Sequence, residues 1–476
     1  MHISFRAPWV RAVALASGLV ALSGCNVRDT FLSPQQPGTI LPGDISSAGV
    51  GGAEAIRVGA LGRFQQLSPG GGNGNQTEAT LLGDLLGDVW KSGDTFVQHN
   101  ETDQRAVSTN NSVLSTAYSD LNRSRGFYRD AIRAIKAVEP EKAAEIAEQY
   151  FVMGYSEMLL GELFCNGIPL SETVDGAYTY TKPLTNQEVF AIAITHFDSA
   201  LTLAASQGGT VAADLALATS IKNAASIAKG RTLVDMGNFA GAATAVASVP
   251  TNYTYNVTFS QPTNDNNLWG LAGQVSTRAR FVVGDSVDSQ GTLKNAIPFA
   301  SAKDPRVPVT GSTIASSLKV AFDNATQMVS QSIWNRSDWA PVISGIDARL
   351  IEAEAKLQAG DYAGMMTILN ALRTSPQALS NAFNTPAMST LPTPTTKDAA
   401  IDLYFRETAF WQFSRGTRLG NLRRLIRQYG RTQDKVFPTG TFFKNGNPPY
   451  GTDVNFPVTS DENPNPNFHG CIDRSA

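Results

Sequence analysis

Ile227-Ala228-Lys229-Gly230-Arg231-Thr232-Leu233-Val234-Asp235-Met236-Gly237-Asn238-Phe239 is followed by Ala240, Ala243 and Val246. The same grammar returns in Arg349-Leu350-Ile351-Glu352-Ala353-Glu354-Ala355-Lys356-Leu357-Gln358-Ala359-Gly360-Asp361-Tyr362, followed by Ala363, Met366 and Leu369. Each stretch predicts a helix, a Gly-polar-aromatic turn and a second helix. The glycine ends the first helix in a left-handed conformation, and the aromatic ring plugs the gap between the pair. The copies are far apart in sequence, so whatever solenoid they build is interrupted.

Working outward, helical spacing dominates 111–249. Leu114, Tyr118, Leu121, Tyr128, Ile132 and Ile135 recur along 111–138. Pro140 suits a helix start, and Ala144, Ala147, Phe151, Tyr155, Met158 and Leu159 then form an apolar stripe. Residues 186–206 and 214–236 repeat the pattern, 53–67 suits a further helix, and helices return at 346–373 and 397–428. This is the grammar of tetratricopeptide-like hairpins. Between them, 250–345 mixes short β-type runs such as Tyr253-Thr254-Tyr255-Asn256-Val257-Thr258-Phe259 with Asn, Gly and Pro loops. The expected architecture is mostly α: four helical hairpins with a large loop-rich insertion, at 250–345, between the last two.

The N-terminus carries a different signal. Arg6 and Arg11 precede an apolar run over 12–22, which ends in Leu22-Ser23-Gly24-Cys25. The run is too short to span a membrane, and small residues before a cysteine suit a lipoprotein peptidase. Residues 1–24 therefore read as a signal peptide, Cys25 as the lipid-attachment site, 25–52 as a Pro/Gly/Ser-rich tether, and 53–476 as one body. Several acyl chains would supply the multiple signals that stable anchoring needs.

Composition excludes some functions. Removing Arg6 and Arg11 moves the formal charge from -3 to -5, which gives no electrostatic case for nucleic acid. Beyond Cys25 the only cysteines are Cys165 and Cys471, which either form one disulfide or remain buried thiols. His99, His196 and His469 sit in no metal-ligand spacing, and no nucleophile elbow, phosphate loop or dinucleotide fingerprint is present. Asp84, Asp88, Glu352 and Glu354 read as helix-surface acids, and Arg418, Arg423 and Arg424 as salt-bridge partners. The expectation is a binding protein without metal, cofactor or catalysis.

Further landmarks bear a family likeness. Ile146 to Tyr155 continues to Leu163-Phe164 and Gly167-Ile168-Pro169-Leu170, and Thr185, Glu188-Val189-Phe190 and Phe197 to Leu201 follow. Asp304-Pro305-Arg306, then Glu407, Gly416, Arg418, Leu422 and Arg424, then Glu462-Asn463-Pro464-Asn465-Pro466-Asn467-Phe468, complete the series. With the lipobox, their order resembles the SusD/RagB family of outer-membrane nutrient-binding lipoproteins. Arg415 and Asn421 depart from it, standing where the family usually has acids. The resemblance implies a lipid-anchored, surface-exposed outer-membrane protein that captures oligosaccharides and delivers them to a TonB-dependent transporter. Peptides or other oligomeric nutrients, or a non-transport surface interaction module, are the alternatives.

Sugar rings offer apolar C–H faces and many hydroxyls, so flat indoles beside polar side chains suit them. Trp269 follows Asn264, Asp265, Asn266 and Asn267. Trp334 and Trp339 bracket Asn335, Arg336 and Asp338, and Trp90 and Phe96 lie near Lys91 and Asp94. The expected ligand surface uses Trp90, Trp269, Trp334 and Trp339, with Asn335 and Asp338 at its edge; core packing is the competing role for each ring.

Overall fold

The computed structural model describes residues 49–71, 78–174, 177–271, 279–288, 291–292, 295–311, 320–444 and 446–476. In it the two Gly-polar-aromatic stretches make the same turn. Gly237 has φ +80° and Gly360 φ +75°. The Gly237 and Asn238 amides donate to Val234 O (2.9 Å) and Leu233 O (2.8 Å); those of Gly360 and Asp361 donate to Leu357 O (3.0 Å) and Lys356 O (2.9 Å). Such crossed bonds satisfy the last carbonyls of a helix around a left-handed residue. The polar residue then caps the next helix. Asn238 Oδ1 accepts from the Gly241 amide at 2.9 Å, and Asp361 Oδ1 from the Gly364 amide at 2.8 Å. Phe239 and Tyr362 pack partly buried against the core.

The helices run α1 (Gly49–Leu67), α2 (Ala79–Leu86), α3 (Val97–Asp103), α4 (Ser112–Val138), α5 (Ala143–Leu163), α6 (Asn186–Ser206), α7 (Ala212–Asp235), α8 (Phe239–Val246), α9 (Asn267–Gly270), α10 (Gly345–Gln358), α11 (Tyr362–Thr374), α12 (Lys397–Trp411) and α13 (Arg418–Arg427). Four helix pairs pack side by side: α5 with α6, α7 with α8 and α10 with α11 as successive helices, and α1 with α4 across the intervening α2 and α3. Helix α1 begins four residues before the body expected at 53. Helix α5 begins at Ala143, with Pro140 in the turn before it. Packed on α4, α6 and α7, α5 is buried along its whole length, which explains why its apolar stripe widens past one face. The signal peptide, Cys25 and most of the tether lie outside the described residues.

The insertion starts and ends at one place. Thr254–Val257 pairs antiparallel with Ala340–Ser344, so the chain leaves after α8 and re-enters at α10 with the solenoid stacking resumed. A second ladder, Trp90–Ser92 with Phe281–Val283, ties the α2–α3 region to the insertion.

The order-matched motifs prove to be internal locks. Arg306 pairs with Asp304 (2.7 Å) and with Glu407 (2.8 Å), and Glu407 also takes Arg373 (3.0 Å). Arg415 reaches Asp347 at 2.7 Å and Ser344 Oγ at 3.1 Å, while Asn421 Oδ1 accepts from Arg424 at 2.7 Å. Both departures from the family pattern thus have local polar partners. Arg424 pairs with Glu354, whereas Arg423 caps the end of α5, donating to the carbonyls of Gly161, Glu162 and Phe164. Cys165 and Cys471 are joined by a disulfide, with Cα atoms 6.0 Å apart, which fastens the tail to the end of α5.

Candidate functional site

The structure divides the four proposed tryptophans. Trp90 is fully buried: its indole packs on Phe413 (5.1 Å between ring centres), and its Nε1 donates to Ser414 Oγ at 3.1 Å. Trp334 is also buried. Neither contributes to a ligand surface. All three residues of its short strand, Trp90–Ser92, are buried, so both faces are covered, which a three-residue run does not reveal in the sequence. Asp338 is buried as well. Its Oδ2 accepts from the Asn335 amide at 2.8 Å, so it closes a turn and does not rim a site. Asp84, Asp88 and Glu354, expected on helix surfaces, are buried too.

Trp269, Trp339 and Asn335 remain partly or wholly exposed. Asn266 takes the carbonyl of Arg336 with its amide (3.0 Å) and that of Asp338 with its side chain (2.9 Å), which seats the 335–339 turn on the start of α9. Arg336 then lies 5.4 Å over the Trp269 ring and pairs with Asp265 at 2.7 Å. This is a small aromatic–guanidinium patch.

A larger arrangement stands around the second ladder. Phe96, at the start of α3, and Phe322 are among the exposed large apolar residues. The Arg280 guanidinium lies 3.8 Å from the centre of the Phe322 ring and 5.2 Å from that of Phe96, and pairs with Asp94 at 2.7 Å. His99 is buried against Phe96, near-parallel to it, with its Nδ1 3.0 Å from Asp94 Oδ2. Two phenyl rings are thereby presented to solvent on a charged, fully bonded mount. Burial pushes the Asp94 carboxyl up, but the His99 hydrogen bond and the Arg280 charge outweigh it, so it sits below the usual range.

Beside this platform opens a cavity of ≈ 550 Å³, within the size range of small-molecule sites. Val282, Val283 and Val329 are among its apolar lining, Lys91, Asp285 and Lys444 among its polar lining, and Phe443 completes its aromatic side. The Phe443 ring has the Lys91 and Lys444 ammoniums 5.9 and 5.7 Å from its centre. Asp285 accepts from Ser301 Oγ at 2.6 Å. Such a mixture suits an uncharged, hydroxyl-rich or amide-rich oligomer with one flat face. Among the described residues no cluster of three or more His, Cys, Asp or Glu could hold a metal ion.

The same overall fold occurs in solved structures. A SusD-like carbohydrate-binding protein from Bacteroides fragilis superposes with a TM-score of 0.63 at 15% identity, over 90% of this chain and 100% of that one. A SusD-like carbohydrate-binding protein from Bacteroides vulgatus gives 0.61 at 13%, over 88% and 97%. Surface glycan-binding protein A from Bacteroides uniformis gives 0.60 at 12%, over 88% and 99%. The fold is SusD-like. No protein-family model and no curated protein matches the chain.

On this SusD-like frame, sequence reading named Phe96 as a candidate beside Trp90, outside the expected ligand surface, and did not single out Arg280, Phe322, Phe443 or Lys444. Phe322 and Arg280 belong to separate segments of the insertion, and Phe443-Lys444 arrives from the tail. Only the fold brings them together, and no local pattern marks Phe322 as exposed.

Proposed function

We propose that this protein is an outer-membrane lipoprotein, anchored at the cell surface through Cys25, that captures oligosaccharides and hands them to a TonB-dependent transporter. The observation that carries the reading is the exposed Phe96–Arg280–Phe322 platform beside an open cavity on a SusD-like fold. Phenyl faces take the C–H side of a sugar ring, while groups such as Asp285, Ser301 and Gln327 take hydroxyls. The carbohydrate-binding and glycan-binding proteins of the same fold support that ligand class. The role assigns no bond-making step to the protein; import energy comes through the transporter. The valines in the lining, Val282, Val283 and Val329, favour one second reading, in which an extended peptide lays apolar side chains into the cavity.

An array of oligosaccharides and peptides, followed by titration of Phe96→Ala and Phe322→Ala, tests the reading. We expect a glycan hit that weakens about tenfold or more in each variant, the scale of losing about 1.4 kcal/mol of stacking. Peptide hits alone would transfer the site to the second reading, and a glycan insensitive to both variants would remove it from this platform. Co-purification from gently solubilised outer membranes checks the partner, and absence of any large transporter overturns that part. Lipid-precursor labelling of the chain and of Cys25→Ala checks the anchor, and equal labelling overturns it.

A further inference from the structure

Lys444 reaches the cavity from the C-terminal tail, on a loop held shut by Phe442 N–H to Pro448 O (2.7 Å) and Tyr450 N–H to Gly440 O (3.0 Å). Its side chain is about nine-tenths covered and its ammonium meets oxygens from separate parts of the chain. Its three N–H bonds are shared among four oxygens within reach: the carbonyls of Ser92 (2.6 Å) and Asp94 (2.9 Å), Asn100 Oδ1 on α3 (3.1 Å), and Asp323 Oδ2 (2.7 Å). Asp94 lies two residues before Phe96, and Asp323 immediately follows Phe322. One cation therefore binds the backbone or side chain beside each of the two platform rings.

We infer that Lys444 is the positioning residue of the ligand platform: it sets the spacing between the Phe96 and Phe322 rings and joins them to the cavity wall. The inference rests on the ligand-site reading above and names the residue that holds that site in shape. Each side of the clamp has its own internal order. On one side Asp94 Oδ1 takes Arg280 and the Thr95 amide. On the other, Asp323 Oδ1 takes the Ala325 and Thr326 amides at 2.9 Å each, and its Oδ2 takes Thr326 Oγ1 at 2.6 Å. Burial alone would raise the Asp323 carboxyl, but Lys444 and these donors hold it below the usual range. The two sides also meet directly, Asp323 N–H donating to Gly93 O and Phe322 N–H to Ala279 O (2.9 Å each), and the Lys444 charge clamps the same seam from the cavity side. A buried charged group with several charge-assisted bonds is suited to that task, because removing it leaves Asp323 and two carbonyls without their common donor.

Lys444→Met keeps the stem and removes the charge; Lys444→Arg keeps a charge and several donors. Amide hydrogen exchange on the full chain reads the clamp without any ligand. We expect exchange in 93–100 and 320–327 to rise about tenfold or more in Lys444→Met while the α5–α7 amides stay protected, with Lys444→Arg restoring most of the protection. Unchanged exchange in both segments overturns the inference, as does a rise equal across the whole molecule with no rescue. If Lys444→Met does not fold, Lys444→Gln is read the same way. In parallel, maltoheptaose, xylohexaose and mannohexaose are titrated against the wild type, Phe322→Ala and Lys444→Met. A glycan lost by Phe322→Ala and retained by Lys444→Met overturns the positioning role. If Phe322→Ala changes nothing while the exchange result stands, the ligand reading fails and the clamp survives.

Discussion

Arg306 and Glu407, 101 residues apart, meet in a two-pronged ion pair, with Nη1–Oε2 2.8 Å and Nη2–Oε1 3.0 Å. The pair is almost wholly buried, and the same guanidinium stands 5.1 Å from the Phe410 ring and 5.0 Å from Trp411. It therefore fastens the insertion to α12. Removing Arg306 leaves buried Glu407 to Arg373 alone and takes from Asp304 its ion pair. Arg306→Met should destabilise the body by about 3 kcal/mol, the low end for breaking a buried pair, because Arg373 still compensates Glu407. Urea unfolding measures this; a loss below about 1 kcal/mol would show that the pair behaves like a surface contact.

Trp90 and Phe322 should respond to different degrees. Trp90→Ala opens a cavity in the core and should cost about 3–5 kcal/mol of stability. Phe322→Ala should cost only about 1 kcal/mol, because its ring is more than a third exposed and loses chiefly the Arg280 contact. Thermal unfolding of the two variants side by side decides whether the platform is surface or core.

The pH dependence is set in part by Asp88. It is buried with positive φ (62°), neither carboxylate oxygen has a hydrogen-bond partner among the described residues, and burial pushes it up to about 8. In the unfolded chain it ionises at the ordinary carboxylate value, so between that value and about 8 the unfolded state releases a proton that the folded state keeps. Its contribution to stability is complete at acid pH and is lost as the pH rises toward 8. Asp88→Asn should flatten the fall in unfolding free energy between about pH 5 and 8. An unchanged slope would move the effect to other acids, Glu162 (raised to about 8) and Asp84 (raised to about 7) being next.

Reducing the Cys165–Cys471 bridge should free the tail before it unfolds the body. Asn166 also holds Asp473 at 3.1 Å, and Asn455 holds the Arg474 and Ser475 carbonyls, so the tail keeps polar anchors. Cys471→Ser should therefore increase proteolysis near 470–476 and lower stability by about 2–5 kcal/mol, the range for removing a native bridge. Cleavage inside α5 or α6 ahead of the tail would contradict this order.

By itself the sequence determined the helical hairpins and their turns. A left-handed glycine, a capping side chain and an aromatic plug act within a few residues of one another, so Gly237-Asn238-Phe239 and Gly360-Asp361-Tyr362 carry their geometry locally. The place of the insertion was legible for the same reason, as a change of period from helical to alternating. Tertiary structure alone decided which rings face solvent. Trp90 and Phe96 are six residues apart, yet one is sealed under Phe413 and the other lies open beside Arg280. That difference is made by residues from the insertion and the α12–α13 corner, at separations no local pattern encodes. Lys444 is the extreme case: its partners lie some 350 residues earlier at Ser92 and Asp94, because a single ammonium satisfies whichever oxygens the folded chain brings to it.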